Sequence, residues 1–111
     1  MKNISLIHRS SGPLSYALKR IEGHTYRSAS WVLSQETIKS LIGGRVFLHE
    51  KQDERSYFGG EILDIIPSEI PGLEGRFDII FKALPECRDV RCPGGWGREK
   101  AIWSTETKET A

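Results

Sequence analysis

The chain has 111 residues, 38% of them hydrophobic and 28% charged, and a formal net charge of +1. That length supports one hydrophobic core and not two, and the composition lacks the low hydrophobicity and high net charge of a disordered chain. No apolar run approaches the roughly 18 residues that cross a bilayer as a helix, and the fragment from Ile4 to Ile7 is too short for a signal peptide, so the expected location is cytoplasmic and no membrane partner is expected.

Ile4, Leu6 and Ile7 make a short apolar start that reads as a strand, broken by Ser10, Ser11, Gly12 and Pro13. Leu14, Ala17, Leu18 and Ile21 then fall at helical spacing, with Gly23 placed as a stop. Ala29 to Leu33 reads as a strand entering the core. Ser34 caps a second helix with Ile38, Leu41 and Ile42 on its apolar face, ended by Gly43 and Gly44. Arg45 to Glu50 reads as a strand with Val46 and Leu48 on one face and Arg45, Phe47 and His49 on the other.

A polar loop leads to the strand Tyr57 to Ile66, whose Gly59 and Gly60 mark a bulge or the close approach of a backbone or ligand. Pro67, Pro71, Gly72 and Gly75 form a turn region. Arg76 to Leu84 gives a third strand, with Phe77, Ile79 and Phe81 toward one side. An irregular loop from Pro85 to Arg98 precedes an apolar close at Ala101, Ile102 and Trp103. The expected domain spans residues 1–103, with 104–111 a flexible tail. Three strands joined by loops too short for crossover helices pair antiparallel. The expected fold is therefore α+β: a small curved antiparallel sheet or open β-barrel flanked by two short helices.

The chain carries no phosphate-cradling glycine loop with a lysine, no H-E-x-x-H, no G-x-S-x-G and no Cys-His pattern of known spacing. Asp64 and Asp78 fit the carboxylate pattern of a metal-dependent nuclease only loosely. Cys87 and Cys92 are too few for a disulfide framework, and a closed zinc site would need two of His8, His24 and His49 from afar. No catalytic residue, metal or cofactor is assigned.

Charge is unevenly distributed. Residues 1–30 hold five basic groups against Glu22 alone, whereas residues 31–86 hold six basic and ten acidic groups. A basic segment on an acidic body can supply phosphate contacts without a high overall pI. Aromatic residues gather near the glycine pairs, and Trp96 lies in the loop CPGGWGRE between glycines and Arg98, placed to stack on a base. Tyr57, beside Ser56 at the mouth of a strand, is a second candidate.

The succession SWVL, SQETIKSLIGG, RVFLHE, loop, SYFGGEILDII, over about residues 29–82, resembles the PUA-like superfamily, especially its EVE and ASCH branches. The resemblance implies a small β-barrel flanked by helices that binds RNA, or a base flipped out of DNA and often modified, in an aromatic cleft. It places Trp31 near the cleft, His49 and Ser56 at the strand ends lining it, and Tyr57 as a wall. The leading expectation is a nucleic-acid-binding module, with DNA or RNA held by Trp31, His49, Ser56, Tyr57, Trp96 and Arg98. The alternatives are a small ASCH-type hydrolase acting on a modified nucleoside, and a protein-interaction or inhibitor module that binds a partner through the loop 85–98.

Overall fold

The computed structural model describes residues 2–8, 18–68, 75–97 and 100–104. Seven strands form one sheet: β1 (Lys2–Ile7), β2 (Leu18–Glu22), β3 (Thr25–Trp31), β4 (Arg45–His49), β5 (Phe58–Pro67), β6 (Phe77–Ala83) and β7 (Lys100–Ser104). One α-helix, α1 (Gln35–Leu41), and one 3-10 turn, Pro85–Cys87, complete the described elements. The spatial order is β2-β3-β6-β5-β4-β1-β7, with β1 and β4 parallel and the other pairs antiparallel. The protein is thus mainly β, with a mixed sheet that does not close into a barrel, and the expected α+β arrangement of an antiparallel sheet or open barrel with two flanking helices is incorrect.

The first expected helix is where the reading fails. Leu18–Glu22 is an edge strand, forming a hairpin with β3 through Gly23 and His24, while Leu14 to Ala17 lie outside the described residues. A glycine at φ 55° serves a two-residue hairpin turn as readily as it ends a helix, so Gly23 alone did not separate the two structures. The intended apolar stripe is not one either, because Ile21 is 52% exposed.

The antiparallel expectation holds for β4, β5 and β6. The expected strand at Ala29–Leu33 instead ends at Trp31, as the final part of β3. Helix α1 forms where the cap was read: the Ser34 side chain accepts from the Thr37 N–H at 3.1 Å. The apolar close at 101–103 is the centre of edge strand β7, while residues 69–74 of the turn region and 105–111 of the tail are outside the described set. None of the described helices is long and apolar enough to cross a membrane.

Alternation along the strands, with a register shift between Ile62 and Asp64 of β5, sends Ile4, Leu6, Val46, Leu48, Ile62, Ile65, Ile79 and Phe81 to one face, where Trp31, Leu33 and Leu41 join them in the core. Gly60 is required inside this sheet because a Cβ there would strike the Lys82 carbonyl of β6. Gly59 is held in the same way against Val46 of β4 and the Cys87 side chain, so both glycines mark close approach by neighbouring chain. The sheet curls around its core face far enough for His8, just past β1, to meet Ser28 of β3, although three strands lie between them.

Candidate functional site

On the core face, Trp31 is 7% exposed and its indole N–H donates to Ser28 Oγ at 3.0 Å. Ser28 Oγ also bonds His8 Nδ1 at 3.0 Å, and the His8 ring stands 5.8 Å from that of Trp31. The Tyr57 hydroxyl donates to the His8 carbonyl. Burial, assisted by the negative charge of Glu50, pushes the Tyr57 phenol well above its ordinary pKa. Trp31 is therefore a core residue that ties β3 to the end of β1, and Tyr57 braces the same junction.

A second polar chain runs through the opposite face. His49, 0% exposed, bonds the Glu54 carbonyl through Nδ1 at 2.8 Å and Ser5 Oγ through Nε2 at 3.1 Å. The carbonyl only accepts, so Nδ1 carries the proton and Nε2 accepts from the Ser5 hydroxyl. Ser5 Oγ in turn accepts from Trp103 Nε1 at 3.1 Å. Burial holds the His49 pKa below the ordinary 6.5, with the Glu54 bond opposing in part. Around this chain Phe47 stacks on Trp103 at 5.2 Å, and half-buried Trp96 stands perpendicular to His49 at 5.4 Å.

Ser56 joins two loops. Its N–H donates to the Val90 carbonyl (2.8 Å), its carbonyl accepts from Asp89 N–H (2.7 Å), and its hydroxyl donates to the Cys87 carbonyl (2.7 Å) and accepts from Val90 N–H (3.0 Å). Every polar atom of Ser56 is engaged in this staple. Of the six residues singled out by sequence, His49 and Trp96 meet ring to ring, Trp31 and Tyr57 both meet His8, Ser56 joins two loops, and Arg98 lies outside the described residues.

The structure assembles a different row at the sheet rim. Arg20 on β2 lies opposite Tyr26 on β3. The Tyr26 ring meets Phe58 edge-to-face at 4.8 Å and lies nearly parallel to Phe81 at 5.9 Å, while the Arg88 guanidinium sits 5.0 Å over the Phe58 ring. Tyr26 and Phe58 are half-buried, and Arg20 and Arg88 are exposed. Glu86, two residues from Arg88, is turned to Arg45 at 3.6 Å. Sheet register and the loop after the 3-10 turn bring residues 20, 26, 58 and 88 together.

Arg27, Asp78 and Asp64 are engaged elsewhere. Arg27 Nη2 lies 2.6 Å from buried Asp78, which removes both from the phosphate and metal readings. Asp64 Oδ1 accepts from Ile65 N–H at 2.8 Å. Across the outer face Lys82, Glu61 and Arg45 occupy neighbouring register positions, so charge alternates there. Cys87 is buried, with its thiol pKa raised by burial, and Cys92 Sγ lies 3.5 Å from the Gly94 carbonyl. Among the described residues no three His, Cys, Asp or Glu side chains are grouped so as to hold a metal ion.

No family model, curated protein or solved structure matches the chain.

Proposed function

We propose that the protein binds nucleic acid, taking unpaired bases on the rings of Tyr26 and Phe58 and backbone phosphates on Arg20 and Arg88. The observation that carries this reading is the basic-aromatic-aromatic-basic row itself, set where the core face reaches the rim. Stacking of a base on an aromatic side chain contributes about 1–3 kcal/mol whatever the base, and arginine adds both charge and a planar surface that stacks. The resemblance of residues 29–82 to EVE and ASCH domains points to the same ligand class, although the β-barrel it implies is not the fold of this chain. The proposed contacts differ from those the resemblance implies, because Trp31 is packed into the core and His49 and Ser56 have committed their polar atoms.

The test is the affinity for a labelled 12-nucleotide single strand, measured by fluorescence anisotropy at 50 and 200 mM salt. Two neutralised phosphates give a slope near −1.4 in log K against log salt, or about sevenfold weakening over that range. The double variant Arg20→Glu/Arg88→Glu, altered only at exposed positions, is expected to bind at least tenfold more weakly while melting as the parent does. Equal affinity in parent and variant refutes the proposal.

A further inference from the structure

We propose that β7 is an association edge: it pairs antiparallel with the β7 of a second copy of this chain, so that two seven-stranded sheets continue into one. The inference stands apart from the ligand reading.

The two ends of the sheet are built differently. At one end β2 carries Lys19, Arg20 and Glu22, all exposed, and its register with β3 slips between Arg20 and Glu22. Charge and a bulge are common devices that keep a strand edge from pairing with another chain. At the other end β7 runs in unbroken register with β1 from Lys100 to Ser104, with no proline and a single charged side chain. That charge is already engaged, because the Lys100 ammonium donates to the Val32 carbonyl at 2.6 Å. Val32 itself is 49% exposed and adds apolar surface at that end.

The β7 backbone is oriented for such pairing. His8 N–H donates to the His49 carbonyl, so the alternate residues counted back from it, Leu6 and Ile4, turn their backbone groups toward β4. Their partners Lys100 and Ile102 therefore form non-hydrogen-bonded pairs with β1 and turn N–H and C=O to the open side. The Lys100 carbonyl does accept a bond from outside the sheet, from Gly97 N–H at 2.9 Å. The outward groups of Ile102 meet no partner among the described residues, where β1 is the only strand beside β7.

The sequence of β7 is complementary to itself. With a two-fold axis at Ile102, the two isoleucines exchange both backbone bonds, Ala101 faces the partner's Trp103, and Lys100 faces the partner's Ser104. No like charges meet, and a small side chain lies beside a large one. Ile102, which packs against the core beside Ile4, carries that apolar row into the second sheet. The same pairing of β2 about its middle residue sets Arg20 against Arg20, which opposes it. Five residues a side make a contact smaller than the roughly 1,200 Å² of a stable complex, so the dimer is weak, with a Kd on the order of 10–100 μM.

The experiment is sedimentation equilibrium of the whole chain from about 5 to about 500 μM, a range that brackets that Kd. The expected result is a mainly monomeric chain at the low end and a mainly dimeric one at the high end. Ile102→Lys sets two ammonium groups face to face across the axis and is expected to weaken association at least tenfold, roughly the cost of opposed like charges at a paired edge. Ile21→Lys, at the other end of the sheet, is expected to associate as the parent does. In a mixed-isotope NMR sample, an NOE between the α-protons of Ala101 and the partner's Trp103 identifies the register, because those two protons of one strand lie too far apart to give it. A chain that stays monomeric throughout overturns the proposal, whether or not it captures an extended peptide along β7. A dimer without this NOE, or one that Ile102→Lys leaves intact, uses another surface and overturns it too. If Ile102→Lys does not fold, the NOE in the parent decides.

Discussion

Replacing Ser56 with Ala tests the idea that one hydroxyl joins the loops. The substitution removes the bonds of Oγ to the Cys87 carbonyl and the Val90 N–H but leaves both backbone bonds of Ser56 in place. A hydrogen bond is worth about 1 kcal/mol net, and a buried partner left unsatisfied costs about 1–3 kcal/mol. Cys87 is fully buried and Val90 half-buried, so its carbonyl bears the larger penalty and the sum is about 2–4 kcal/mol. With a urea m-value of about 1.5 kcal/mol/M, the unfolding midpoint falls by roughly 1.5–2.5 M. Ser56→Thr, which keeps the hydroxyl, is expected to recover most of the loss. The assay is urea unfolding followed by tryptophan fluorescence at pH 7.5. A midpoint within about 0.3 M of the parent, at unchanged m, refutes the staple.

Gly60→Ala drives a Cβ into the Lys82 carbonyl and is expected to lower stability by more than 2 kcal/mol, whereas Gly23→Ala, with open space around it, costs only about 1 kcal/mol of left-handed strain; thermal melts of the two rank them. Arg27→Ala leaves the buried Asp78 carboxylate without its cation and is expected to cost about 3 kcal/mol, while the double change Arg27→Met/Asp78→Leu comes close to neutral, as urea midpoints of the pair will show. The depressed His49 pKa makes the unfolded chain bind more protons than the folded one below pH 6.5. Its stabilising contribution is therefore complete above that pH, is lost as pH falls toward the folded value, and is flat below it; urea midpoints between pH 7.5 and 4.5 should follow this course, and His49→Gln should remove it.

Periodicity carried the sheet interior. Val46 and Leu48 against Phe47 and His49 alternate as a two-residue repeat demands, and Phe77, Ile79 and Phe81 do the same on β6, so both strands were legible. The edges were not. In β2 four of five residues are exposed, and without a buried stripe neither helical nor strand periodicity is enforced. The parallel pairing of β1 with β4 escaped for another reason: a six-residue strand does not specify which of several apolar neighbours it joins, and the choice depends on tertiary packing.

The candidate site divides similarly. The sequence singles out aromatic and polar residues near strand ends; in the fold Trp31, His49 and Ser56 make internal hydrogen bonds. Two chains of the same kind occur, Trp31–Ser28–His8 and Trp103–Ser5–His49, one on each face of the sheet. Each satisfies an indole N–H with a serine that also engages an imidazole, as burial of such groups requires. Arg20 and Arg88, 68 positions apart, become neighbours of one aromatic pair only through the order β2-β3-β6-β5. Composition signalled the charge and could not locate it.

Amide chemical-shift mapping during titration with a single-stranded 12-mer locates any binding surface residue by residue. The largest shifts are expected at Arg20, Tyr26, Phe58 and Arg88, with little change along the outer positions Lys82, Glu61 and Arg45. Shifts absent at saturating oligonucleotide, or confined to that outer row, would contradict the placement of the ligand on the aromatic pair.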